Sequence, residues 1–380
     1  MAKIAIVVFE DIAGAMGITV RVYRLVDILK KRGFSISVIT SSDNNHDKLA
    51  GMDGVHIISL GMKLLTYKSL PFPVKFIPIL LWNLKLTLTL LKNKFDVVYC
   101  SHEWLGFLPV YLVSKIRKYK VGFDADSIFS KNHEAIGHSG MLLKLDQSLE
   151  KFVMKHSDFI ITDCNSTLEF YQVFNSRIDV VPLFVDTMLF RATTKPKTPD
   201  TKIIGLIGPF DVGREYVRQR TSLEFLYSRL KDFDSRVSFV VIGHCDNRII
   251  HNRVKYTGYL DSVHDYASQL SHLDALLVPE RISTTGPLTK LIEPMSCSLP
   301  VFTTPEAMLG LEWAKPGRDI FVFEENELVD NINKLIFDDA MMTEIGKNAR
   351  DVVERYYSKM VNEDKLVRIM ESVAGIENDR

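Results

Sequence analysis

The same order of elements is predicted twice along this chain of 380 residues: an apolar strand, a loop, a helix and a second strand. In the first half, an apolar run at 4–9 precedes a helical pattern at 20–32 and a strand at 35–40. Gly33 stands where that helix should end. The order repeats across 203–243, and strands joined through a helix pair in parallel. The sequence therefore predicts an α/β chain with two Rossmann-like domains.

A polar segment separates the two halves. Residues 193–202 read TTKPKTPDTK, and proline, threonine and lysine without apolar residues do not pack into a core. We therefore expect a first domain at 1–192, a linker at 193–202 and a second domain at 203–355. The length of the chain suffices for two separate cores.

Charge and cysteine content exclude several kinds of partner. The chain carries 47 Lys and Arg residues against 47 Asp and Glu residues, so no basic excess favours a nucleic acid. The four cysteines are scattered, without the spacing of a zinc site, and indicate reduced core thiols. The apolar run at 4–9 is too short for a signal peptide. We therefore expect a cytoplasmic protein.

The segment at 283–304, STTGPLTKLIEPMSCSLPVFTT, predicts an anion-binding loop. Its small residues Thr284, Thr285 and Gly286 precede a helix, which is followed by a short strand. A glycine-centred loop that opens a helix offers backbone N–H groups and the positive end of the helix dipole to an anion. A diphosphate fits such a loop.

Two charged residues of this segment suit a nucleotide. Lys290 and Glu293 lie three residues apart, so they share one face of the first turns of the helix. Lys290 can neutralise phosphate oxygens, and Glu293 can accept hydrogen bonds from a ribose diol. The alternative is a solvated Lys–Glu pair at the start of a helix.

Polar residues also follow the predicted strands of the first domain. His102 and Asp126 come directly after two of these strands, at the edge where open α/β sheets bind their ligands. Gly14 and Gly17, after the first strand, would let the backbone approach a phosphate or an acceptor. The alternatives are a helix cap or turn for His102 and Asp126, and a plain tight turn for the glycines.

The most apolar region, 70–91, is too interrupted for a spanning helix, because three prolines crowd its start and two lysines lie within it. Cations within 63–94 favour an anionic bilayer surface, each by about 1 kcal/mol. Trp82 and Phe76 suit the headgroup boundary. We therefore expect peripheral membrane contact through 63–94. The alternative is a buried helix that covers the N-terminal sheet.

Several motifs resemble one enzyme family. Gly-Pro-x-x-Lys-Leu-x-Glu-x-Met at 286–295, followed by Leu-Pro-Val at 299–301, resembles the sugar-nucleotide signature of GT-B glycosyltransferases, in particular the large retaining family (glycosyl transferases group 1). The segment at 177–190 resembles the landmark that ends the first domain of that family. Many members carry a second glutamate eight residues before the signature glutamate, and here that position is Thr285.

The resemblance implies a fold and roles for individual residues. It implies two Rossmann-like domains facing a central cleft, with a C-terminal helix at 356–380 that crosses back to the first domain. The signature glutamate, Glu293, would hold the nucleotide ribose, and Arg214 is our choice for a diphosphate ligand. His102 lies in a stretch whose histidine touches the donor sugar. Asp126 lies where some membrane-associated inverting glucuronosyltransferases carry the general base.

The resemblance therefore predicts a glycosyltransferase that acts without a bound metal or other cofactor. It would move a sugar from a nucleotide-sugar, a UDP-sugar above all, to a lipid-linked or cell-envelope glycan at the membrane. Inversion is expected if Asp126 is the general base and retention if it only orients its neighbours, and retention is slightly favoured. A catalytically degenerate GT-B binding protein is the alternative function, since Thr285 replaces a glutamate. A dinucleotide-dependent oxidoreductase is disfavoured, because the Gly-x-Gly-x-x-Gly fingerprint is absent.

Overall fold

The computed structural model describes most of the chain. The described residues are 1–9, 17–41, 54–61, 76–101, 104–135, 137–192, 200–208, 210, 217–260, 262–282 and 286–376. They divide into two compact units: the first is Met1–Ser130, Ser139–Val181 and Glu363–Arg380, and the second is Lys131–His138 and Pro182–Asn362. Most of the expected linker lies outside the described residues, so its limits stay a prediction.

A parallel sheet forms the centre of the first unit. Its strands are β1 (Lys3–Val8), β2 (Ser35–Thr40), β3 (His56–Ser59), β4 (Val97–Ser101), β5 (Lys120–Ala125), β6 (Phe159–Thr162) and β7 (Ile178–Val180). Their order across the sheet is β3-β2-β1-β4-β5-β6-β7, and each neighbouring pair is parallel. The helices in this part of the chain are α1 (Gly17–Lys31), α2 (Phe76–Lys92), α3 (Phe107–Arg117), α4 (Phe129–Ala135), α5 (Gly140–His156) and α6 (Asn165–Tyr171).

A second parallel sheet forms the centre of the second unit. Its strands are β8 (Lys202–Ile207), β9 (Val237–Ile242), β10 (Val254–Gly258), β11 (Ala275–Val278), β12 (Val301–Thr303) and β13 (Phe321–Val322), in the order β10-β9-β8-β11-β12-β13. The helices that follow are α7 (Val217–Arg229), α8 (Val263–Ser271), α9 (Thr289–Ser296), α10 (Leu328–Leu335), α11 (Asp339–Val352) and α12 (Lys359–Val373). The two sheets confirm the predicted α/β fold with two Rossmann-like units.

Each sheet has one point at which the direction of strand addition reverses. In the first unit that point lies between β1 and β4, and in the second it lies between β8 and β11. Open α/β sheets bind ligands outside the carboxyl ends of the strands beside such a point. A ligand is therefore expected at the carboxyl ends of β1, β4, β8 and β11, and the carboxyl ends of β5 and β6 lie further along the same edge of the first sheet.

Helix α2 is apolar on both of its faces. One face, with Ile79, Trp82, Leu86 and Leu90, is buried against the sheet of the first unit. The opposite face is exposed, and its large apolar side chains are Ile77, Leu80, Leu81, Leu84 and Leu88. The buried-helix interpretation is therefore confirmed for one face, and membrane contact through the exposed face stays a prediction.

The expectation that Trp82 lies at a lipid headgroup boundary is wrong. Its side chain is fully buried, and its ring packs edge-on against Phe9 at a centroid distance of 4.9 Å. Gly106 makes room for this ring, because a Cβ at Gly106 would lie 2.6 Å from an indole carbon. The helical spacing of Ile79, Trp82 and Leu86 turns all three towards the core.

In the parts of the chain that the structure describes, no helix combines the length and the apolarity needed to cross a bilayer.

Leucine-to-alanine substitutions on the two faces of α2 should differ in how much they change the free energy of unfolding. Leu86→Ala should lower the free energy of unfolding by about 2–5 kcal/mol, because it opens a cavity beside a fully buried side chain. Leu84→Ala, where the side chain is 55% exposed, should change it by less than about 0.5 kcal/mol. Urea unfolding of both variants measures the difference. Equal losses would contradict the orientation of the helix.

Candidate active site

The loop that leads into α9 packs closely on another backbone segment of the second unit. Gly286 and Pro287 are buried, and Gly310 lies directly against them. A Cβ at Gly310 would lie 2.4 Å from the nitrogen of Pro287, and its φ of +83° also favours glycine. The start of α9 is therefore fixed from outside the signature itself. Sequence reasoning missed Gly310, whose signal was a lone glycine between apolar residues.

Lys290 forms a buried ion pair with Glu280. Its ammonium contacts Oε1 of Glu280, and the side chains are 11% and 0% exposed. Lys290 lies in the first turn of α9, and Glu280 follows the end of β11 by two residues. The lysine is therefore not the solvated residue of the alternative interpretation.

Hydroxyl groups hold the backbone around Glu280. Thr304 Oγ1 donates to the carbonyl oxygen of Glu280 at 2.6 Å, and Thr303 Oγ1 donates to the carbonyl oxygen of Val278 at 2.8 Å. These hydrogen bonds join the ends of β11 and β12. The backbone that carries the Glu280 side chain is therefore held in place. Sequence analysis did not single out Glu280, because a single glutamate after a strand has no distinguishing pattern.

Glu293 lies one turn after Lys290 and is half-buried. Burial raises the pKa of Cys297 to about 12; Arg350 opposes this rise and Glu293 adds to it. Arg350 also donates from Nη1 to the carbonyl oxygen of Ser296 at 2.5 Å, at the end of α9. The helix that carries Lys290 and Glu293 is thus anchored at both ends.

The described part of the expected donor site comes together as one local structure. Gly286, Lys290 and Glu293 lie on the loop and the helix between β11 and β12. Three other expected donor ligands lie outside the described residues: Thr284, Thr285 and Arg214. Their roles stay predictions.

A second group of charges lies at the carboxyl ends of the central strands of the first unit. Arg21 donates to both carboxylate oxygens of Asp124, from Nε at 2.8 Å and from Nη2 at 2.6 Å. Asp163 follows β6, and its Oδ2 lies 4.0 Å from Nη1 of Arg21. Asp124 and Asp163 are both buried. Because Arg21 lies on α1 and Asp124 on β5, the pair ties the start of α1 to these strand ends.

The ion pair shifts the titration of its members. Burial acts to lower the pKa of Arg21, but Asp124 outweighs burial and holds that pKa above its ordinary value. Burial raises the pKa of Asp163 well above its ordinary value; Arg21 opposes the rise, whereas Asp126 and Asp124 add to it. Oδ1 of Asp163 is buried with no hydrogen-bond partner among the described residues.

Asp126, the expected base, is half-buried just after β5. Its Oδ1 accepts a hydrogen bond from Ser127 Oγ at 3.2 Å. The following turn is fixed by Glu150, which accepts hydrogen bonds from Ser130 Oγ at 2.6 Å and from the Tyr171 hydroxyl at 2.5 Å. The backbone next to Asp126 is therefore held by buried polar contacts.

The remaining expected residues of the first unit are described only in part. Gly17 is the first residue of α1, so the helix begins three residues earlier than its pattern predicts, and the role of Gly17 beside a ligand stays a prediction. Gly14 and His102 lie outside the described residues. Arg21, Asp124 and Asp163 extend the set that sequence analysis proposed around Asp126, and their signal was a charge at a strand or helix end.

Two protein-family models match the chain. The model described as Glycosyltransferase Family 4 matches residues 15–189, and the model described as Glycosyl transferases group 1 matches residues 202–338. The first match includes β2 to β7, and the second includes all six strands of the second sheet. No curated protein matches the sequence.

Solved structures with similar folds cover nearly the whole chain. Sucrose-phosphate synthase from Thermosynechococcus elongatus has a TM-score of 0.81 at 16% identity, over 99% of this chain and 100% of that chain. Anabaena HepE in complex with UDP-glucose has a TM-score of 0.72 at 14% identity, over 98% and 100%. WaaG, a glycosyltransferase involved in lipopolysaccharide biosynthesis, has a TM-score of 0.69 at 13% identity, over 96% and 99%.

The fold is that of a GT-B glycosyltransferase, built from two Rossmann-like units. The chain belongs to the group 1 glycosyltransferases, and it is an enzyme of that class. The resemblance predicted from the 286–301 signature is thereby confirmed.

The raised pKa of Asp163 predicts a pH-dependent stability. The folded protein holds the Asp163 proton more tightly than the unfolded chain does, so stability is lost as the pH rises above the ordinary value of 3.8. Asp163→Asn removes this loss, at most about 1.4 kcal/mol per pH unit. The melting temperature of the variant minus that of the wild type should therefore increase from about pH 5 to about pH 8.

Asp179→Asn is the matched control, because Asp179 is exposed on β7 of the same unit. If the melting temperature of Asp163→Asn minus that of the wild type stays constant or decreases with rising pH, the raised pKa of Asp163 is contradicted.

Proposed function

We propose that this glycosyltransferase moves a sugar from a UDP-sugar to a lipid-linked or cell-envelope glycan at the inner face of the cell membrane. The observation that carries the proposal is the buried donor signature, in which Gly286, Lys290 and Glu293 lie on one loop and helix beside the end of β11. The complex of HepE with UDP-glucose and the part of WaaG in lipopolysaccharide biosynthesis support the donor and the acceptor class.

The donor site would act mainly on the leaving group. Sugar transfer releases a nucleoside diphosphate, and charge stabilisation of the leaving group is usually the largest catalytic contribution. The backbone of 284–286, Lys290 and Arg214 would supply that stabilisation from the protein itself. Glu293 would bind the ribose. In this proposal the donor needs neither a bound metal nor a further cofactor.

The acceptor would bind in the first unit, at the strand ends that carry Asp126. His102 would contact the donor sugar, and Gly14 and Gly17 would let the backbone approach the acceptor or a phosphate. We propose transfer with retention, in which Asp126 orients the acceptor and the leaving-group face does the chemistry. In the inverting alternative, Asp126 accepts the proton of the attacking hydroxyl.

The membrane contact is supported by a surface that we call the apolar–basic face, the exposed side of α2, α3 and α5. Its exposed apolar side chains are Ile77, Leu80, Leu81, Leu84, Leu88, Leu108, Leu112, Ile116, Met141, Leu142 and Leu145. Its cations are Lys85, Lys92, Lys115, Arg117 and Lys144. Helices α2 and α3 contain no Asp or Glu, and both carboxylates of α5 are buried. A face with cations and exposed apolar residues fits an anionic bilayer surface.

Loss of Glu293 should abolish nucleotide binding. A specific ligand at a hundredfold excess over its dissociation constant stabilises the protein by about 2.7 kcal/mol. UDP and UDP-glucose should therefore raise the melting temperature of the wild type and not that of Glu293→Ala. Glu327→Ala, an exposed glutamate of the same unit, is the control and should keep the shift. A full shift in Glu293→Ala would remove this residue from the donor site.

Leu80→Glu should weaken binding to anionic vesicles. Leu80 is 71% exposed on the apolar–basic face, so a carboxylate there opposes both apolar insertion and charge attraction. Co-sedimentation with phosphatidylglycerol vesicles should fall in this variant, and wild-type binding should fall with salt. The control is Val173→Glu, which adds the same charge at a residue that is 74% exposed elsewhere in the first unit. If the wild type does not co-sediment with the vesicles at any salt concentration, the proposed membrane contact is refuted.

A further inference from the structure

The donor signature contains a buried carboxylate that its motif does not include. Glu280 is 1% exposed, and its Oε1 contacts the ammonium of Lys290, ten residues later in the chain. Between them lies the loop that enters α9, where Gly286 and Pro287 are buried. The ion pair therefore spans the base of the loop that the proposed function assigns to the diphosphate.

A buried ion pair is weak evidence for stability alone. Two charges lose much of their hydration when they are buried, and apolar residues of similar size are often as stabilising. Removing only one partner, however, leaves an uncompensated buried charge. A buried ion pair can instead serve binding, because it fixes the orientation of a charged group that contacts a ligand.

The contact with Glu280 restricts the orientation of the Lys290 ammonium. An ammonium carries three N–H donors, and a carboxylate that accepts from one of them fixes the directions of the other two. Protein kinases use a lysine–glutamate pair in this way, with the lysine on the nucleotide phosphates. Here the carboxylate is attached to a backbone that Thr304 Oγ1 holds at 2.6 Å, while the lysine is attached to α9.

We propose that Glu280 is a positioning residue of the donor site, which fixes the ammonium of Lys290 for the donor diphosphate. This proposal rests on the proposed function, in which Lys290 neutralises the phosphates. Glu280 itself contacts neither donor nor acceptor. Its effect is confined to the phosphate end of the donor, because in the proposed function the ribose is bound by Glu293 and not by Lys290.

A neighbouring pair offers a matched control. Arg281 follows Glu280 in sequence and donates to both carboxylate oxygens of Glu325, at 2.6 and 2.7 Å. Both side chains of that pair are more than a third exposed. Exposed pairs contribute about 0–1 kcal/mol to stability. Glu325→Gln therefore removes one carboxylate from an ion pair close by in sequence without leaving a buried charge.

The test compares the binding of UDP and of uridine, by calorimetry, to the wild type and to Glu280→Gln. Glu280→Gln should weaken UDP binding tenfold or more and leave uridine binding unchanged, because only UDP carries the phosphates. Glu280→Asp keeps the charge but shortens the side chain, so it should show a smaller loss with the same selectivity. It also serves if Glu280→Gln does not fold. Glu325→Gln should bind both ligands as the wild type does.

Lys290→Met separates this proposal from the proposed function. If Lys290→Met weakens UDP binding while both Glu280 variants bind UDP normally, the donor site stands and the positioning role is overturned. Tighter UDP binding by Glu280→Gln would show that Glu280 holds Lys290 away from the phosphates, which also overturns it. Equal losses for UDP and uridine would indicate a purely structural role. Unchanged UDP binding by Lys290→Met would overturn the phosphate role of Lys290 and the positioning role together.

Discussion

Hydrogen bonding between parallel strands is the constraint on which the rest of this structure depends. Because all strands of each sheet are parallel, their carboxyl ends meet at one edge of that sheet. The loops that leave this edge carry polar residues that a rigid sheet holds in position. In the first unit those residues include Asp126 and Asp163, and in the second they include Glu280.

Each sheet places an ion pair with a buried carboxylate at this edge. Arg21 and Asp124 join α1 to β5 in the first unit, while Glu280 and Lys290 join the end of β11 to α9 in the second. In both, one partner comes from a strand end and the other from the first turns of a helix. Such pairs fix the entry of a helix relative to its sheet, which backbone hydrogen bonds within the helix cannot do.

Helix α2 shows how an apolar helix divides between the core and the surface. Trp82 and Leu86 fill the space above the sheet, and the absence of a Cβ at Gly106 lets the indole ring approach. The other face stays apolar although it is exposed, where a helix that only covers a core would normally be polar. An exposed apolar area of this kind indicates an interaction surface. The lack of carboxylates on α2 and α3 is the reason for proposing an anionic membrane surface as the partner.

The sequence by itself determined the fold class, the parallel strands and the family. Short apolar runs separated by helical patterns leave few other arrangements, and the strand Ser35–Thr40 is found with the bounds that its pattern predicts. The 286–301 signature identified the enzyme class because its residues are close in sequence. The side of a helix that faces the core, as at Trp82, was not determined in this way, since large apolar residues lie on both faces of α2.

Tertiary structure alone decided which charges meet. Arg21 and Asp124 are separated by 103 residues, and the sequence around each does not indicate the other as its partner. The same holds for Gly310 against Pro287 and for Glu280 against Lys290, where the partner is set by how strands and helices pack. Sequence patterns report local periodicity, whereas a buried ion pair depends on the distance between segments that only the folded sheet brings together. For that reason the donor motif was readable from the chain, and the residue that holds its lysine was not.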